Sequence, residues 1–297
     1  MAVPAPISVI IPAWRRMDAL RKTLRVILAC DPAPDEILVH VDGGETGVMQ
    51  MLETEFPGVI VLRSETLLGP GGSRNRLIAA ARHDWVANFD DDSFPRHSDY
   101  FARVLDTAAR FPDAAIISAA SMESEWRHPE FLHLAVASGC GCVFNKTWFG
   151  KTTGFVPLPV AYSMEEVDVS LQLCAQGGLI VHDPFLRVLH DRVLPSTVDA
   201  VTNAHVMANT ALFAYLRYPQ WLWVVGVWQV LYRVFYCLAH GWTAGLLDGL
   251  RMIPDFLARH RHHRRDVTSP ALLRWLLLRR RHVSLGHTVP LPTTHFT

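Results

Sequence analysis

The sequence predicts an α/β fold in which a mostly parallel β-sheet is covered by helices on both faces. Short apolar runs rich in β-branched residues alternate with segments of helical periodicity over the first part of the chain. This alternation is typical of parallel strands joined by crossover helices. The length of 297 residues and the hydrophobic content of 50% are sufficient for a large core. One large domain or two modest ones are both compatible with this composition.

The individual strands and helices follow from the same periodicity. Strands are predicted at 7–12, 36–41, 59–63 and 85–89. Helices are predicted at 18–30, with Asp18 as the N-cap, and at 73–82. The glycine-rich segment 69–72 has neither the Lys-Ser/Thr ending of a P-loop nor the GxGxxG spacing of a dinucleotide site. We therefore interpret this segment as a turn before the second helix.

The two ends of the chain differ in charge, although the formal net charge is zero. From Val201 onward, eleven arginines and no lysine stand against three aspartates and no glutamate, which gives +8. The first two hundred residues therefore carry −8. This asymmetry predicts an acidic, site-bearing domain joined to a basic tail that has a different partner.

The cysteines and the N-terminus predict a cytoplasmic protein. Five cysteines are an odd number, and they include no CxxC pair, so a disulfide framework is not favoured. The first apolar run has no basic region before it and is too short for the core of a signal peptide. Export is therefore not expected.

Acidic residues follow two of the predicted strands at the point where each strand ends. Asp42 follows the second strand, and Asp90, Asp91 and Asp92 follow the fourth. Because ligands of open α/β sheets bind at the carboxyl ends of the strands, these acids are expected to face one crevice. Alternate carboxylates can hold a hard divalent cation, which commonly bridges substrate phosphates. The alternative interpretation is a solvated turn or a helix N-cap, because Ser93 and a proline follow.

A series of short segments gives a more specific signal. The segments are 8–12, 41–44, 69–75, 89–93, 138–144, 154–155 and 164–169. In order and spacing they resemble family-two inverting glycosyltransferases of the GT-A fold, over residues 7 to 190 or so. The resemblance implies a GT-A mixed sheet with a C-terminal helical extension. It places a catalytic domain at 1–198, with a donor half at about 1–95 and an acceptor half at about 96–198, and a tail at 199–297.

The resemblance also implies a site for a nucleotide-sugar donor. It assigns Asp42 to the nucleobase, with Pro12 and Ala13 lining that pocket, and it places Arg74 near the donor phosphates. The implied donor is a UDP- or dTDP-sugar. The family often has a second aspartate where Gly43 stands here, so the finer nucleobase contacts are expected to differ.

A metal site is implied by the same resemblance, with Mg²⁺ or Mn²⁺ as the cofactor. Asp90 and Asp92 correspond to the outer acids of the family's DXD motif. Asp92 is assigned as a direct metal ligand, and Asp90 and Asp91 are assigned to donor binding. His190 resembles a histidine that some members place near the metal or the pyrophosphate, although a lone histidine is more often structural.

The acid pair Glu165 and Glu166 opens a predicted helix. Acids in a first turn also favour the helix dipole, so a structural role is the ordinary alternative. By its match to the family's Glu-Asp motif, Glu166 is the general base that deprotonates the acceptor hydroxyl, and inversion follows. Glu165 and Asp168 are its competitors or supporting acceptor-side residues. Trp148 and Trp126 are candidates for stacking on an acceptor sugar, although tryptophans usually pack in the core.

The tail is aromatic as well as basic. Its apolar stretch at 211–247 is interrupted by Arg217, Gln229 and Arg233. Because a transmembrane span needs ~20 predominantly apolar residues, this composition favours helices lying at a bilayer interface. The basic clusters at 259–265 and 279–281 would then meet anionic headgroups. A soluble helical subdomain and a true span are the alternatives, and nucleic acid is not an expected partner.

The predicted function is sugar transfer to a glycan or lipid-linked acceptor at the inner face of the cell membrane, in envelope or exopolysaccharide synthesis. One rival is a sugar-1-phosphate nucleotidyltransferase. That class needs a basic, glycine-rich loop after the first strand, where residues 13–16 here read Ala-Trp-Arg-Arg. The other rival is a catalytically silent, membrane-associated protein that binds nucleotide sugars. The retained acids count against it.

Overall fold

The computed structural model describes residues 3–44, 46–121, 130–162, 164–191 and 199–288. The strands are β1 (Ala5–Ala13), β2 (Pro34–Asp42), β3 (Ile60–Ser64), β4 (Trp85–Asn88), β5 (Ser93–Pro95), β6 (Ala114–Ser121), β7 (Glu130–His133), β8 (Cys142–Asn145), β9 (Leu179–His190) and β10 (Val283–Thr288). The helices are α1 (Met17–Leu28), α2 (Thr46–Glu55), α3 (Gly69–Ala80), α4 (Tyr100–Arg110), α5 (Lys146–Phe149), α6 (Glu165–Ala175), α7 (Ala200–Arg217), α8 (Trp223–Ala239), α9 (Leu246–His260) and α10 (Ser269–Leu278).

The strands form one mixed sheet in the order β10-β7-β9-β6-β8-β4-β1-β2-β3, and β5 pairs with β9. β4, β1, β2 and β3 are parallel, as predicted, whereas β8 is antiparallel to both β4 and β6. β7 is antiparallel to β9, which is itself parallel to β6. β6 and β7 therefore run in opposite directions. This agrees with the interval of 122–129 between them, which is shorter than the dozen or so residues that a parallel crossover needs. The α/β class is therefore confirmed, with a mixed sheet.

Both faces of the sheet are covered. Val9 and Ile11 of β1 join Leu20 of α1 in one buried cluster, whereas Ile10 joins Leu77 of α3 in another. Successive side chains of a strand point to opposite faces, so each face of β1 has its own layer of helix. This leaves the carboxyl ends of the parallel strands open for a site.

The start of α3 corrects one sequence prediction. The segment 69–72 is not a turn before the helix but the first turn of α3, which begins at Gly69. Gly69 has φ +74°, and a Cβ atom there would lie 2.1 Å from the carbonyl oxygen of Leu158. Pro70 suits a first helical turn because its missing N–H would have no intrahelical partner there. Close packing between two backbones therefore explains the glycine better than a reversal of the chain does.

The C-terminal region is helical, as predicted, but it also contains a strand. Asp199 caps α7, because its side chain accepts a hydrogen bond of 2.9 Å from the N–H of Thr202. β10 returns to the sheet and pairs with β7, and Trp275 of α10 donates a 2.7 Å hydrogen bond to the carbonyl oxygen of Ala135. The tail thus packs on the sheet and extends its edge. The division at 198/199 stays a prediction.

Candidate active site

A cleft of about 520 Å³ lies where the carboxyl ends of β1, β2 and β4 meet. Of the predicted site residues, twelve lie in the described part of the chain and nine of these line the cleft, namely Pro12, Ala13, Asp42, Arg74, Asp90, Asp91, Asp92, Glu165 and His190. Glu166, Asp168 and Trp148 are not among the lining residues. Further lining residues were not predicted from the sequence; they include Trp14, Arg16, Leu67, Ser73 and Tyr162.

Asp42 is buried at the end of β2, and its carboxylate is already bound by protein groups. The hydroxyl of Ser64 donates a 2.8 Å hydrogen bond to it, and the N–H groups of Leu68 and Gly69 donate bonds of 2.9 Å each. These amides belong to the start of α3, whose free N–H groups attract an anion. Asp42 therefore fixes α3 against the sheet, and its assignment to a nucleobase stays a prediction.

Arg74 of α3 joins the two acidic sides of the cleft. Its guanidinium donates to Asn88 Oδ1 at 2.9 Å, to Glu165 Oε2 at 2.7 Å and to Asp90 Oδ1 at 2.5 Å. Burial opposes ionisation of Arg74, but the carboxylates of Glu165 and Asp90 outweigh it and raise the pKa of the guanidinium. The cleft thus contains a fixed positive charge that links the loop after β4 to α6.

Asp90, Asp92 and His190 form a cluster that could hold a metal ion. One ligand atom of each lies within 4.8 Å of the others, and His190 Nε2 is 3.1 Å from Asp92 Oδ1 and 3.9 Å from Asp90 Oδ2. The pairing of β5 with β9 places Ser93 opposite His190, which brings the imidazole beside the acids. The hydrogen bond to Asp92, and then one to Cys140, raises the pKa of His190 to about 10. The surroundings of His190 therefore stabilise a positive charge at this position.

Asp91 points away from this cluster, toward the loop after β1. It is buried, and burial raises the pKa of its carboxyl to about 7 against the opposing effect of Arg16. Arg16 contacts both Asp91 and Asp92, and its side chain is 54% exposed. It also holds the N-cap position of α1 that the sequence prediction gave to Asp18, which lies inside the helix. The two consecutive arginines after β1 were the available signal for this missed residue.

The three acids at the start of α6 have different surroundings. Glu165 lines the cleft and pairs with Arg74. Glu166 is half-buried, and its Oε1 lies 2.7 Å from the point where a Cβ on Gly139 would be, so the missing side chain of that glycine makes room for it. Burial, and then the charge of Glu165, raises the pKa of Glu166 to about 7. Asp168 is fully buried and pairs with Arg217 of α7.

The structure describes one of the two tryptophans proposed to stack on the acceptor sugar, Trp148, and this residue does not line the cleft. Trp148 is half-buried against the core, with the Lys151 ammonium 3.5 Å from its ring centroid. It does not line the cleft, in contrast to Tyr162, which lies at the cleft and is 48% exposed. Trp126 lies outside the described residues.

Comparison with known proteins places the chain in a family. The sequence profile of "Glycosyltransferase like family 2" matches residues 4–153, which is half of the chain. The chain belongs to this family. Its predicted enzyme class, a glycosyltransferase, is thereby confirmed at the level of the family, and the nucleotidyltransferase alternative is not favoured.

The uncharacterized glycosyltransferase YwdF of Bacillus subtilis (strain 168) is 33% identical over 116 residues. The match covers 38% of this chain and 43% of that protein, so it spans less than half of either.

Solved structures share the GT-A fold with this chain at low sequence identity. The mannosyltransferase PcManGT from Pyrobaculum calidifontis, in complex with GDP-Man and Mn²⁺, aligns with a TM-score of 0.58 and 13% identity. The alignment covers 94% of this chain and 88% of that protein. GalNAc-T7 with UDP, GalNAc and Mn²⁺ aligns with a TM-score of 0.56 and 12% identity, over 72% of this chain and 48% of its own. The predicted GT-A class is therefore confirmed.

Proposed function

We propose that this protein transfers a sugar, with inversion, from a UDP- or dTDP-sugar to the hydroxyl group of a glycan or lipid-linked acceptor. The observation that supports this proposal is that one cleft gathers the Asp90–Asp92–His190 cluster, the buried Arg74 and Glu165, with Glu166 next to it at the start of α6. The structural neighbours that hold Mn²⁺ with GDP-Man or with UDP and GalNAc support a nucleotide-sugar donor and a divalent metal.

A divalent metal suits the donor set of this cluster. Two carboxylates and an imidazole are ligands that Mn²⁺ accepts, whereas Mg²⁺ prefers oxygen alone, so the set favours Mn²⁺. Asp92 and His190 would hold the ion, with Asp90 beside them. Such an ion supplies Lewis-acid stabilisation for the charge that develops on a diphosphate leaving group.

The protein's own groups account for binding the donor. Arg74 presents a fixed positive charge for the phosphates, which requires no rearrangement because three partners already orient its guanidinium. Ser73 Oγ and Glu165 Oε1 are buried, and neither has a hydrogen-bond partner among the described residues. Buried polar atoms are normally paired, so these two atoms support a ligand that carries hydroxyl groups.

Glu166 is our candidate for the general base. Glu165 is bound by Arg74 and Asp168 by Arg217, and an ion pair with arginine makes a carboxylate a weaker base. Burial raises the pKa of all three carboxyls, but Glu166 has no ion pair with an arginine among the described residues, and its pKa of about 7 suits proton removal near pH 7. Loss of the acceptor proton to Glu166 would allow the hydroxyl oxygen to attack the anomeric carbon opposite the leaving nucleotide.

A donor screen tests the class of reaction. Purified protein is mixed with UDP-, dTDP- and GDP-sugars and Mn²⁺, with a chelator as the control, and thermal stability and donor hydrolysis are measured. We expect one nucleotide group to raise the melting temperature only with metal, because a ligand that binds the folded state stabilises it. Absence of stabilisation and of hydrolysis with every donor would defeat the proposal.

The base is tested by two matched substitutions. Glu166→Gln is expected to lower the transfer rate by about 10²–10⁴-fold while leaving nucleotide affinity within about twofold. Glu165→Gln is expected to weaken donor binding, because it replaces a carboxylate that orients Arg74 and whose unpaired Oε1 is proposed to accept a hydrogen bond from the donor. Near-normal transfer by the Glu166 variant would exclude its role as the base.

We further propose that α8 contacts the cytoplasmic face of the cell membrane, where an envelope or exopolysaccharide acceptor would be found. The stretch Gln220–Ala239 is long and apolar enough to cross a bilayer by length and composition, yet only 17% of it is buried. Its exposed apolar side chains recur every three or four residues, at Trp221, Val224, Trp228, Leu231, Phe235 and Leu238. Gly226 packs on Ala214 of α7, so the other face of α8 is covered by protein. One apolar face and one covered face favour a helix that lies on the membrane.

Vesicle flotation tests this contact. The protein is expected to float with phosphatidylcholine vesicles that contain phosphatidylglycerol, and the double variant Trp228→Glu/Phe235→Glu is expected to remain in solution. Leu28→Glu, on an exposed position of α1, is the matched control and should float like the wild type. Equal flotation of the double variant and the wild type would contradict a role for this face.

A further inference from the structure

Arg16 is the exposed member of an ion-pair group whose acids are buried. Its Nε lies 3.2 Å from Asp91 Oδ2, and its two terminal nitrogens contact Asp91 Oδ1 and Asp92 Oδ2. The side chain of Arg16 is 54% exposed, whereas those of Asp91 and Asp92 are 3% and 5% exposed. The acids are therefore held by the fold, while the guanidinium can change its partner without unfolding anything.

Arg16 binds the second oxygen of a carboxylate that is also in the candidate metal cluster. Asp92 Oδ1 faces His190, and Asp92 Oδ2 faces Arg16. A divalent cation at Asp92 would lie close to the guanidinium, and like charges at such a distance repel each other. Asp91, in contrast, contacts Arg16 through both carboxylate oxygens and would keep the arginine in the cleft. The carbonyl oxygen of Asp91 is itself held by the Thr23 hydroxyl at 3.0 Å.

We propose that Arg16 competes with the divalent metal for Asp92 and, when the metal binds, turns the released edge of its guanidinium toward the diphosphate of the donor. Asp91 is the positioning residue that keeps Arg16 in place during this exchange. The inference rests on the proposed metal site and the proposed donor. Its consequence is that metal and diphosphate strengthen each other's binding, because the metal frees a cation for the anion.

Metal binding alone gives a test that needs neither donor sugar nor acceptor. Mn²⁺ affinity is measured by titration calorimetry, with and without inorganic pyrophosphate. Arg16→Gln is expected to bind Mn²⁺ alone about three- to tenfold more tightly than the wild type, because the competing charge is gone. The strengthening of Mn²⁺ binding by pyrophosphate is expected to shrink in the same variant. Arg16→Lys, which keeps the charge, should restore the weaker Mn²⁺ affinity.

Arg25→Gln is the matched control. It also removes one arginine charge, here from within α1 at an exposed pair with Glu55, and should leave Mn²⁺ affinity unchanged. If Mn²⁺ binding is lost in Asp92→Asn but is the same in Arg16→Gln and the wild type, the inference about Arg16 fails and the metal site stands. If the wild type binds no Mn²⁺, even with pyrophosphate, the metal site itself fails and the inference fails with it.

Discussion

Two acid–arginine groups in this protein resemble each other locally and differ in the exposure of the arginine. In the cleft, Asp91 and Asp92 are buried beside Arg16, whose side chain is 54% exposed. In the interior, Asp168 and Arg217 are both 0% exposed. A buried carboxylate is therefore no guide to catalysis by itself. If solvent or a ligand can replace the arginine that pairs with an acid, that acid is available for ligand binding or catalysis. If the paired arginine is fully buried, the acid stabilises the fold.

The interior group holds several parts of the chain together. The guanidinium of Arg217 donates to Asp168 Oδ2 at 2.9 Å, to Thr153 Oγ1 at 3.0 Å and to the carbonyl oxygen of His263 at 2.9 Å. These contacts join α7 to α6, to Thr153 in the segment between α5 and α6, and to His263, which follows α9. The tail therefore supports the helix that carries Glu166, in addition to its proposed contact with membrane.

The largest expected effect is the loss of stability in Asp168→Asn. This substitution keeps the shape of the side chain but leaves the charge of Arg217 buried without its counter-ion, at a cost of about 3–5 kcal/mol in the free energy of unfolding. Urea denaturation followed by circular dichroism measures it. Asp255→Asn is the control, because its partner Arg259 is 71% exposed, and it should cost less than about 1 kcal/mol. Equal losses in the two variants would remove the distinction between enclosed and exposed pairs.

The next effect concerns pH and a third acid, Glu166. Only its deprotonated form can accept a proton, and its pKa is raised to about 7, so transfer should be flat above pH 7 and fall below it. The expected fall is about tenfold per pH unit, or about 100-fold at pH 5. Initial rates at saturating metal and donor between pH 5 and 9 measure it. A profile that is level down to pH 5 would remove Glu166 as the titrating base.

The sequence anticipates the acids at the strand ends better than it anticipates Arg16 and Arg217, the arginines that pair with Asp91 and Asp168. Asp42 and Asp90 were expected to converge because parallel strands end at a common edge, and both line the cleft. Arg16 was missed because its position depends on the turn after β1, where Arg15 has the unusual φ of +63°. The partner of Asp168 lies 49 residues away, at Arg217, and no local periodicity reports such a pairing. Motifs and strand ends are local properties, whereas ion-pair partners depend on tertiary packing.

The smallest effect is expected at Asp91, and it is the sharpest test of the comparison. Asp91→Asn is chemically the same change as Asp168→Asn, and it also removes the charge of a buried carboxylate beside an arginine. Here the guanidinium of Arg16 is half in solvent and retains Asp92, so water can take over the lost contact, and the cost should stay within about 1 kcal/mol. The same urea titration measures both variants. A loss at Asp91 as large as that at Asp168 would show that Arg16 is held as firmly as Arg217, and the proposed exchange of its partner would then lose its physical basis.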